Sequence, residues 1–378
     1  MAMARLARLI DGVHRLKRRV ASRAGAPSGV LIVAAGGLGD TVLFSLLLPS
    51  LTGLAVEGES VTVLLRSDGA KTAFLFAPEV EVLSVDFDRL RRDAVYRWQQ
   101  FDQLFRRNFR IALSADTLRH PHLDEALLFA AAAKQTIGME PRPWPKYDRA
   151  LQSNRHLFDR LFDSGPLHLD KVVRWSRFTN WVNGKDASAP TVALPADRLP
   201  AADANEKDFV VIQPFSAVAA KQPSAQVFGR IIGAIPADLT VLITGAPGDL
   251  DKNPDFKSLL ERPNVRFDDS RLEPLFAKLR SAKLVVSVDT AVMHMAVVSG
   301  APTICLASAA YVGEIVPYAD EIMPDNVTFF YHDMPCRGCL GKCSQPLEDG
   351  RFACVERLEI KPVLDKILSL VSHDRANP

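Results

Sequence analysis

The sequence predicts an α/β protein of two doubly wound halves, each a parallel sheet flanked by helices. Three observations predict it. Short apolar runs alternate with helical patterns along the body of the chain, as parallel strands joined by crossover helices require. Two strand–turn–helix motifs, Gly29–Leu51 and Lys283–Ser299, carry polar residues at the turn, where open α/β sheets place their ligands. A stretch rich in proline and small residues, Asp186–Asp208, separates two such alternating series.

Taken in order, residues 1–28 come first. They hold seven Arg or Lys and one Asp, a net +6; the 378-residue chain carries +2, so the remainder carries −4. Leu6, Leu9, Ile10, Val13, Leu16 and Val20 recur at helical spacing, with Arg8, Arg15, Arg18 and Arg19 largely off that stripe. Such a basic amphipathic helix suits an anionic membrane surface, and equally suits docking on its own protein or another subunit. The first domain, 29–185, has strands near 29–35, 60–65, 81–86 and 110–114 and helical stretches at 40–51, 69–77 and 122–134. After the linker 186–208, the second domain, 209–378, has strands at 209–214, 239–245, 264–269, 283–289 and 302–307. Helical patterns at 226–235, 272–281 and 291–299 intervene. Two sheets facing a cleft is the assembly expected.

Composition excludes several classes. The chain is 48% apolar and 24% charged, ordinary for a globular protein. No apolar run reaches the roughly 18 residues of a membrane span, and no signal peptide is visible, so a cytoplasmic protein is expected. The body is net acidic and its aromatics are not interleaved with a basic stripe, which excludes nucleic acid as partner.

The turns carry the chemistry. In the first motif, Gly36, Gly37 and Gly39 allow positive φ and close approach to a ligand. No Gly-Lys-Ser/Thr follows, so the turn is not a P-loop, and it is not a dinucleotide fingerprint either. Asp40 stands at the strand's carboxyl edge, placed to act as a general base or as an N-cap. In the second motif, Asp289 and Thr290 stand at a helix start, whose unpaired N–H groups and partial positive charge suit a diphosphate. The two residues can also simply cap that helix. Ser216 and Lys221 follow strand 209–214; the lysine can meet a phosphate or be solvated. Asp249 and Asp251 follow strand 239–245 and can accept from ribose hydroxyls or be solvated. His294 lies on the same helix face as Thr290. Finally, Cys336, Cys339, Cys343 and Cys354 are spaced C-x2-C-x3-C-x10-C, close to a metal knuckle, and four thiolates suit tetrahedral Zn or Fe.

Four segments, VLIVAAGGLGDTVLFSLLLPSL, IQPFSAVAAKQPS, ITGAPGDLD and VVSVDTAVMHMAVVSGAPTICL, resemble glycosyltransferase family 9, the ADP-heptose:lipopolysaccharide heptosyltransferases. The resemblance runs in order across about residues 29–371. It implies a GT-B fold, two Rossmann-like domains facing a central cleft, with acceptor on the N-terminal and donor on the C-terminal domain. It implies inverting transfer from a nucleotide-diphosphate sugar, ADP-heptose first among them, to a lipopolysaccharide-type saccharide, with no catalytic metal. Asp40 matches the general base, with Gly37 and Gly39 in the acceptor or phosphate loop, and Lys221 the phosphate-contacting lysine. Asp289, Thr290, Ala291 and His294 match an Asp-Thr-Gly-x-x-His element, and Ser216, Asp249 and Asp251 fall in the donor turns. The chain departs from the pattern in three places: Ala291 replaces Gly, Gln222-Pro223-Ser224 replaces a Trp-Pro after the lysine, and ASAAYVGE (307–314) replaces a Gly-rich turn.

Autotransporter heptosyltransferases in the same family bind iron through a four-cysteine finger and modify protein hydroxyls. A structural Fe or Zn on Cys336, Cys339, Cys343 and Cys354, with a protein acceptor, is therefore the alternative reading. A saccharide acceptor places the enzyme at the inner face of the cytoplasmic membrane, with residues 1–28 in peripheral contact. A non-catalytic nucleotide-sugar-binding or assembly protein is the reading of another class.

Overall fold

The computed structural model describes residues 2–203 and 208–373. The chain divides into two compact domains: one runs to Leu167 and adds Arg174–Ser188, the other joins His168–Val173 to the chain from Ala189 onward. The N-terminal sheet contains β1 (Val30–Ala34), β2 (Val61–Arg66), β3 (Glu81–Val85), β4 (Ile111–Ser114), β5 (Gln135–Met139) and β6 (Arg160–Phe162). Its spatial order is β3-β2-β1-β4-β5-β6. The C-terminal sheet contains β7 (Phe209–Gln213), β8 (Thr240–Thr244), β9 (Val265–Asp268), β10 (Leu284–Val288), β11 (Thr303–Leu306) and β12 (Val327–Phe330), in the order β12-β11-β10-β7-β8-β9. All the pairings in both sheets are parallel. Counted within its own domain, each order is 3-2-1-4-5-6, the doubly wound arrangement. The topological switch points lie between β1 and β4 and between β7 and β10.

β1 and β10 are buried along their whole length, as strands covered on both faces must be, which is why they read as unbroken apolar runs. Three strands escape that signal. β5 carries Gln135 and Gly138, β6 has only three residues, and β12 is a half-buried edge of four. The expected helix 40–51 is two helices, Leu38–Phe44 and Leu48–Thr52; Pro49 sits in the first turn of the second, where its missing N–H costs nothing. Residues 69–75 of the expected helix 69–77 form a 3₁₀ turn. Of the linker, residues 204–207 lie outside the described residues.

The two terminal helices differ. The C-terminal helix, Ile360–His373, buries Ile360, Val363, Ile367 and Val371 in the domain core. The N-terminal helix, Ala2–Val20, packs Ile10 on the core and otherwise docks by a polar and aromatic face. Asp11 takes a bidentate pair from Arg97, at 2.8 and 2.9 Å, and Lys17 pairs with Asp102. His14 is buried edge-on against Trp98, Phe101 and Phe105. Burial, then Arg18 and Lys17, holds its imidazole down at about 4. The stripe Leu9, Val13, Leu16, Val20 is left outward, 62%, 48%, 62% and 76% exposed. The side chains of Leu6, Arg8, Arg15 and Arg19 lie outside the described residues. No described helix is long and apolar enough to cross a membrane.

Candidate active site

At the N-terminal switch point, β1 runs into Ala35–Gly37 and the helix Leu38–Phe44. Asp40 is the third residue of that helix, not the residue before it. Its Oδ2 accepts from the Gly37 N–H at 3.0 Å, so it closes the helix start from within. The glycines act by size rather than by positive φ. None of Gly36, Gly37 and Gly39 is among the positive-φ residues described. A Cβ on Gly36 would fall 2.5–2.9 Å from the Asp40 side chain, whereas one on Gly37 would meet open space. The space over Gly37 is open to a ligand; Gly39 is an ordinary helical position.

Sequence reasoning missed Asp116, which braces this turn, and Asp124, which lies close to it. Asp116, buried just past β4, accepts from the Ala35 N–H at 2.8 Å. Asp124 accepts from the His120 N–H at 2.8 Å, and burial, reinforced by Asp116, pushes its carboxyl up to about 8. Burial, then His122, holds His120 down at about 4. The signal was available as an acid two residues past the apolar run 111–114.

At the C-terminal switch point, Lys221 closes a 3₁₀ turn after β7 and is buried rather than solvated. Its Nζ donates to Asp289 Oδ2 at 2.5 Å and to the Asp289 carbonyl at 3.2 Å. The two side chains are 10% and 7% exposed. An ammonium has three donors, so one remains for a ligand. The expectation that Asp289 and Thr290 cap the next helix, Ala291–Val298, fails: that helix has no side-chain cap. The Asp289 carboxylate is spent on Lys221, and the Thr290 hydroxyl turns back to within 3.4 Å of the Val288 carbonyl and the Ser287 hydroxyl. The helix start is thus left with N–H groups unmet by side chains, beside a cation. Ala291 is its first residue, a helical position that an L-residue fills without strain.

His294 is buried, with Nδ1 2.6 Å from the Tyr318 hydroxyl. Ser216 and Asp249 serve their own turns, accepting from Val218 N at 3.2 Å and Ala246 N at 2.7 Å. Asp251 is 79% exposed on its side chain and pairs with Lys257. No hydrogen bond or ion pair among the described residues links these three to Lys221 and Asp289.

Two further features border the site. The turn Ala309–Tyr311 brings the Tyr311 ring over Lys221, 4.7 Å from Nζ to the ring centre. Against that turn folds the cysteine segment, bent by positive φ at Gly338, Leu340 and Gly341. Cys336 is hydrogen-bonded to Cys343; burial, then Cys343 and Cys339, pushes its thiol up. Cys354 is pushed up by burial, with Cys343, Cys336 and Cys339 adding to it. The four thiols are therefore neighbours. Among the described residues, however, no three His, Cys, Asp or Glu side chains are drawn together tightly enough to hold an ion.

Comparison with known proteins agrees with this fold. The family described as glycosyltransferase family 9 (heptosyltransferase) matches residues 144–342. No curated protein matches the chain. Among solved structures, a glycosyltransferase family 9 protein from Veillonella parvula is similar over 92% of this chain and 98% of its own, with 14% identity and a TM-score of 0.66. The E. coli heptosyltransferase WaaC with ADP is similar over 92% and 100%, at 18% identity and TM-score 0.65. The iron-containing dodecameric glycosyltransferase TibC of enterotoxigenic E. coli is similar over 93% and 77%, at 13% identity and TM-score 0.51. The fold is thus the two-domain α/β arrangement of GT-B heptosyltransferases.

Proposed function

The chain belongs to glycosyltransferase family 9, and from that premise we propose that this glycosyltransferase moves a heptose from ADP-heptose, with inversion, to a hydroxyl of a lipopolysaccharide-type saccharide. We assign the acceptor to residues 29–185 and the donor to residues 209–378. The observation that carries the reading is the Lys221 ammonium beside an uncapped helix start at the β7/β10 switch point. That pairing of donors is suited to a diphosphate. WaaC, which shares the fold, is described with ADP.

The chemistry then assigns itself to residues. Asp40 takes the proton of the acceptor hydroxyl as that oxygen attacks the anomeric carbon. The bond from that carbon to the diphosphate breaks on the opposite face, and its electron pair leaves with the diphosphate. Lys221, Thr290 and the N–H groups from Ala291 onward stabilise the charge gathering there. Gly36 and Gly37 keep room for Asp40 and the substrate. His294 and Asp116 hold the turns. Ser216, Asp249 and Asp251 are assigned to the donor's sugar and ribose. No step requires a metal.

Calorimetric titration with ADP, UDP and GDP tests this. ADP should bind selectively, lose its affinity in Lys221→Ala and keep it in Asp40→Ala. Binding of none of the three nucleotides overturns the donor assignment.

A second reading is favoured by the neighbouring thiols. They offer four soft donors, the right chemistry for iron or zinc, and TibC, of the same fold, is iron-containing. On this proposal Cys336, Cys339, Cys343 and Cys354 hold a structural ion that cross-links the segment, and the acceptor is a protein hydroxyl. Metal analysis should find about one ion per chain, lost in Cys339→Ser. We also propose that the N-terminal helix rests on the inner face of the cytoplasmic membrane, its outward stripe in the headgroup region and the basic residues of 1–28 on anionic lipid.

A further inference from the structure

The cysteine segment touches the donor turn from two sides. Gly338 N donates to Ala309 O and Leu340 N to Ala310 O, both at 2.8 Å, so the loop is bonded to the turn that presents Tyr311. Gly341 approaches the Tyr311 hydroxyl closely enough that a Cβ there would lie 3.5 Å away. Further along, the hairpin β13 (Leu347–Glu348) and β14 (Arg351–Phe352) sends Arg351 Nε to the Gln222 carbonyl at 3.1 Å, next to Lys221. Residues 336–352 therefore bridge the two turns that enclose the lysine.

We infer that Tyr311 is a positioning residue for Lys221, and that the loop 336–343 sets its place, so that nucleoside diphosphate affinity depends on the cysteine loop. The physics is a balance of two neighbours. Asp289 attracts the ammonium and neutralises it, which by itself competes with an incoming diphosphate. The face of an aromatic ring attracts an ammonium without neutralising it. A ring 4.7 Å from Nζ thus holds a flexible side chain in place while its charge stays available to phosphate. The segment ASAAYVGE, the departure from the family's Gly-rich turn, is what supplies the ring.

The inference rests on the assignment of Lys221 to the donor diphosphate, and the test separates the two. ADP affinity is measured by calorimetry on the full chain, with cooperative melting checked for each variant. Tyr311→Leu should weaken ADP about tenfold while Tyr311→Phe stays within about twofold, because the ring and not the hydroxyl acts. Gly338→Ala puts an alanine at φ +74° with its Cβ 3.3 Å from the Val312 carbonyl, and this backbone strain displaces the loop whether or not the exposed His168 ring swings aside. It should weaken ADP about fivefold in the wild type and add nothing in Tyr311→Leu. Iodoacetamide alkylation of the loop thiols, measured in parallel, should behave as Gly338→Ala does and covers the case in which that variant does not fold. Full affinity in Tyr311→Leu, loss in Tyr311→Phe equal to that in Tyr311→Leu, or additive effects in the double variant overturn the inference while Lys221→Ala still loses ADP. A wild-type chain that binds no nucleotide overturns the donor assignment and the inference with it.

Discussion

The two domains repeat one sheet order and differ in what stands at the switch point. In the N-terminal domain the turn after β1 is managed by carboxylates: Asp40 closes its own helix start and Asp116 holds Ala35. In the C-terminal domain the turn after β7 presents a buried cation, and the helix after β10 is left without a cap. A carboxylate that accepts protons and a cluster of donors that accepts an anion are opposite tools. The scaffold is indifferent to which it carries, so the turns specify the chemistry.

The sharpest way to break that contrast is to remove each tool. Asp40→Ala should lower turnover by about 10²–10⁴-fold, with ADP affinity intact. Product assays with a saccharide acceptor, run beside calorimetry, check it. Unchanged turnover would make Asp40 a helix-closing residue and nothing more; absence of turnover in the wild type with every acceptor tried favours a binding module. Lys221→Ala should fail differently. It leaves Asp289 charged and buried without a partner, so stability should fall by about 3–5 kcal/mol in denaturant titrations, in addition to the loss of ADP. Lys221→Met with Asp289→Leu should recover the stability and not the binding.

Much of this was legible because it is local. A fully buried strand, a polar turn and an apolar helix follow one another within about twenty residues, so both motifs and the alternation of elements could be read directly. What escaped is long-range or short. Lys221 and Asp289 are 68 positions apart, and only the β7/β10 pairing makes one buried against the other. Without that contact, a lysine in a loop reads as solvated and an Asp-Thr before a helix reads as its cap; both readings fail here. Tyr311 carries no motif and becomes visible only through its ring. β6 and β12 are too short for periodicity to register. Positive φ was the wrong reason for the glycines after β1, because steric room for Asp40 leaves the same residue type in the sequence.

A finer difference lies in protonation. Asp124 is ionised above about 4 in the unfolded chain and keeps its proton to about 8 when folded. Unfolding therefore releases a proton, and stability should fall as pH rises toward 8 and level off beyond it. The folded-state pKa values of His14 and His120 are depressed to about 4, so the stability linked to them is complete above about 6.5 and lost as pH falls through 4. Between pH 6.5 and 8 Asp124 contributes a downward slope of at most about 1.4 kcal/mol per pH unit, and Asp170, pushed up by its own burial, acts in the same direction. Denaturant midpoints in that window should flatten in Asp124→Asn; an unchanged slope would place the buried proton elsewhere.

The smallest effect on folding, and the most telling for location, separates the terminal helices. Both are amphipathic, yet one is held by a row of buried apolar residues and the other mainly by Asp11, His14 and Lys17, with Ile10 alone of its predicted stripe among the described residues packed on the core. Val363→Ser and Ile367→Ser in the C-terminal helix remove fully buried side chains and should each cost about 2–4 kcal/mol. Leu9→Ser, Leu16→Ser and Val20→Ser act on solvent-facing positions and should each stay within about 0.5 kcal/mol. The triple serine variant should nevertheless lose flotation with vesicles containing anionic lipid, since each leucine or valine returned to water forfeits burial in the headgroup region. Neutral vesicles should bind the wild type weakly, because the charge of residues 1–28 then has nothing to meet. If instead the triple variant floats like the wild type, or if wild-type oligomers dissociate when the stripe is replaced, the outward face belongs to another subunit and not to a lipid surface.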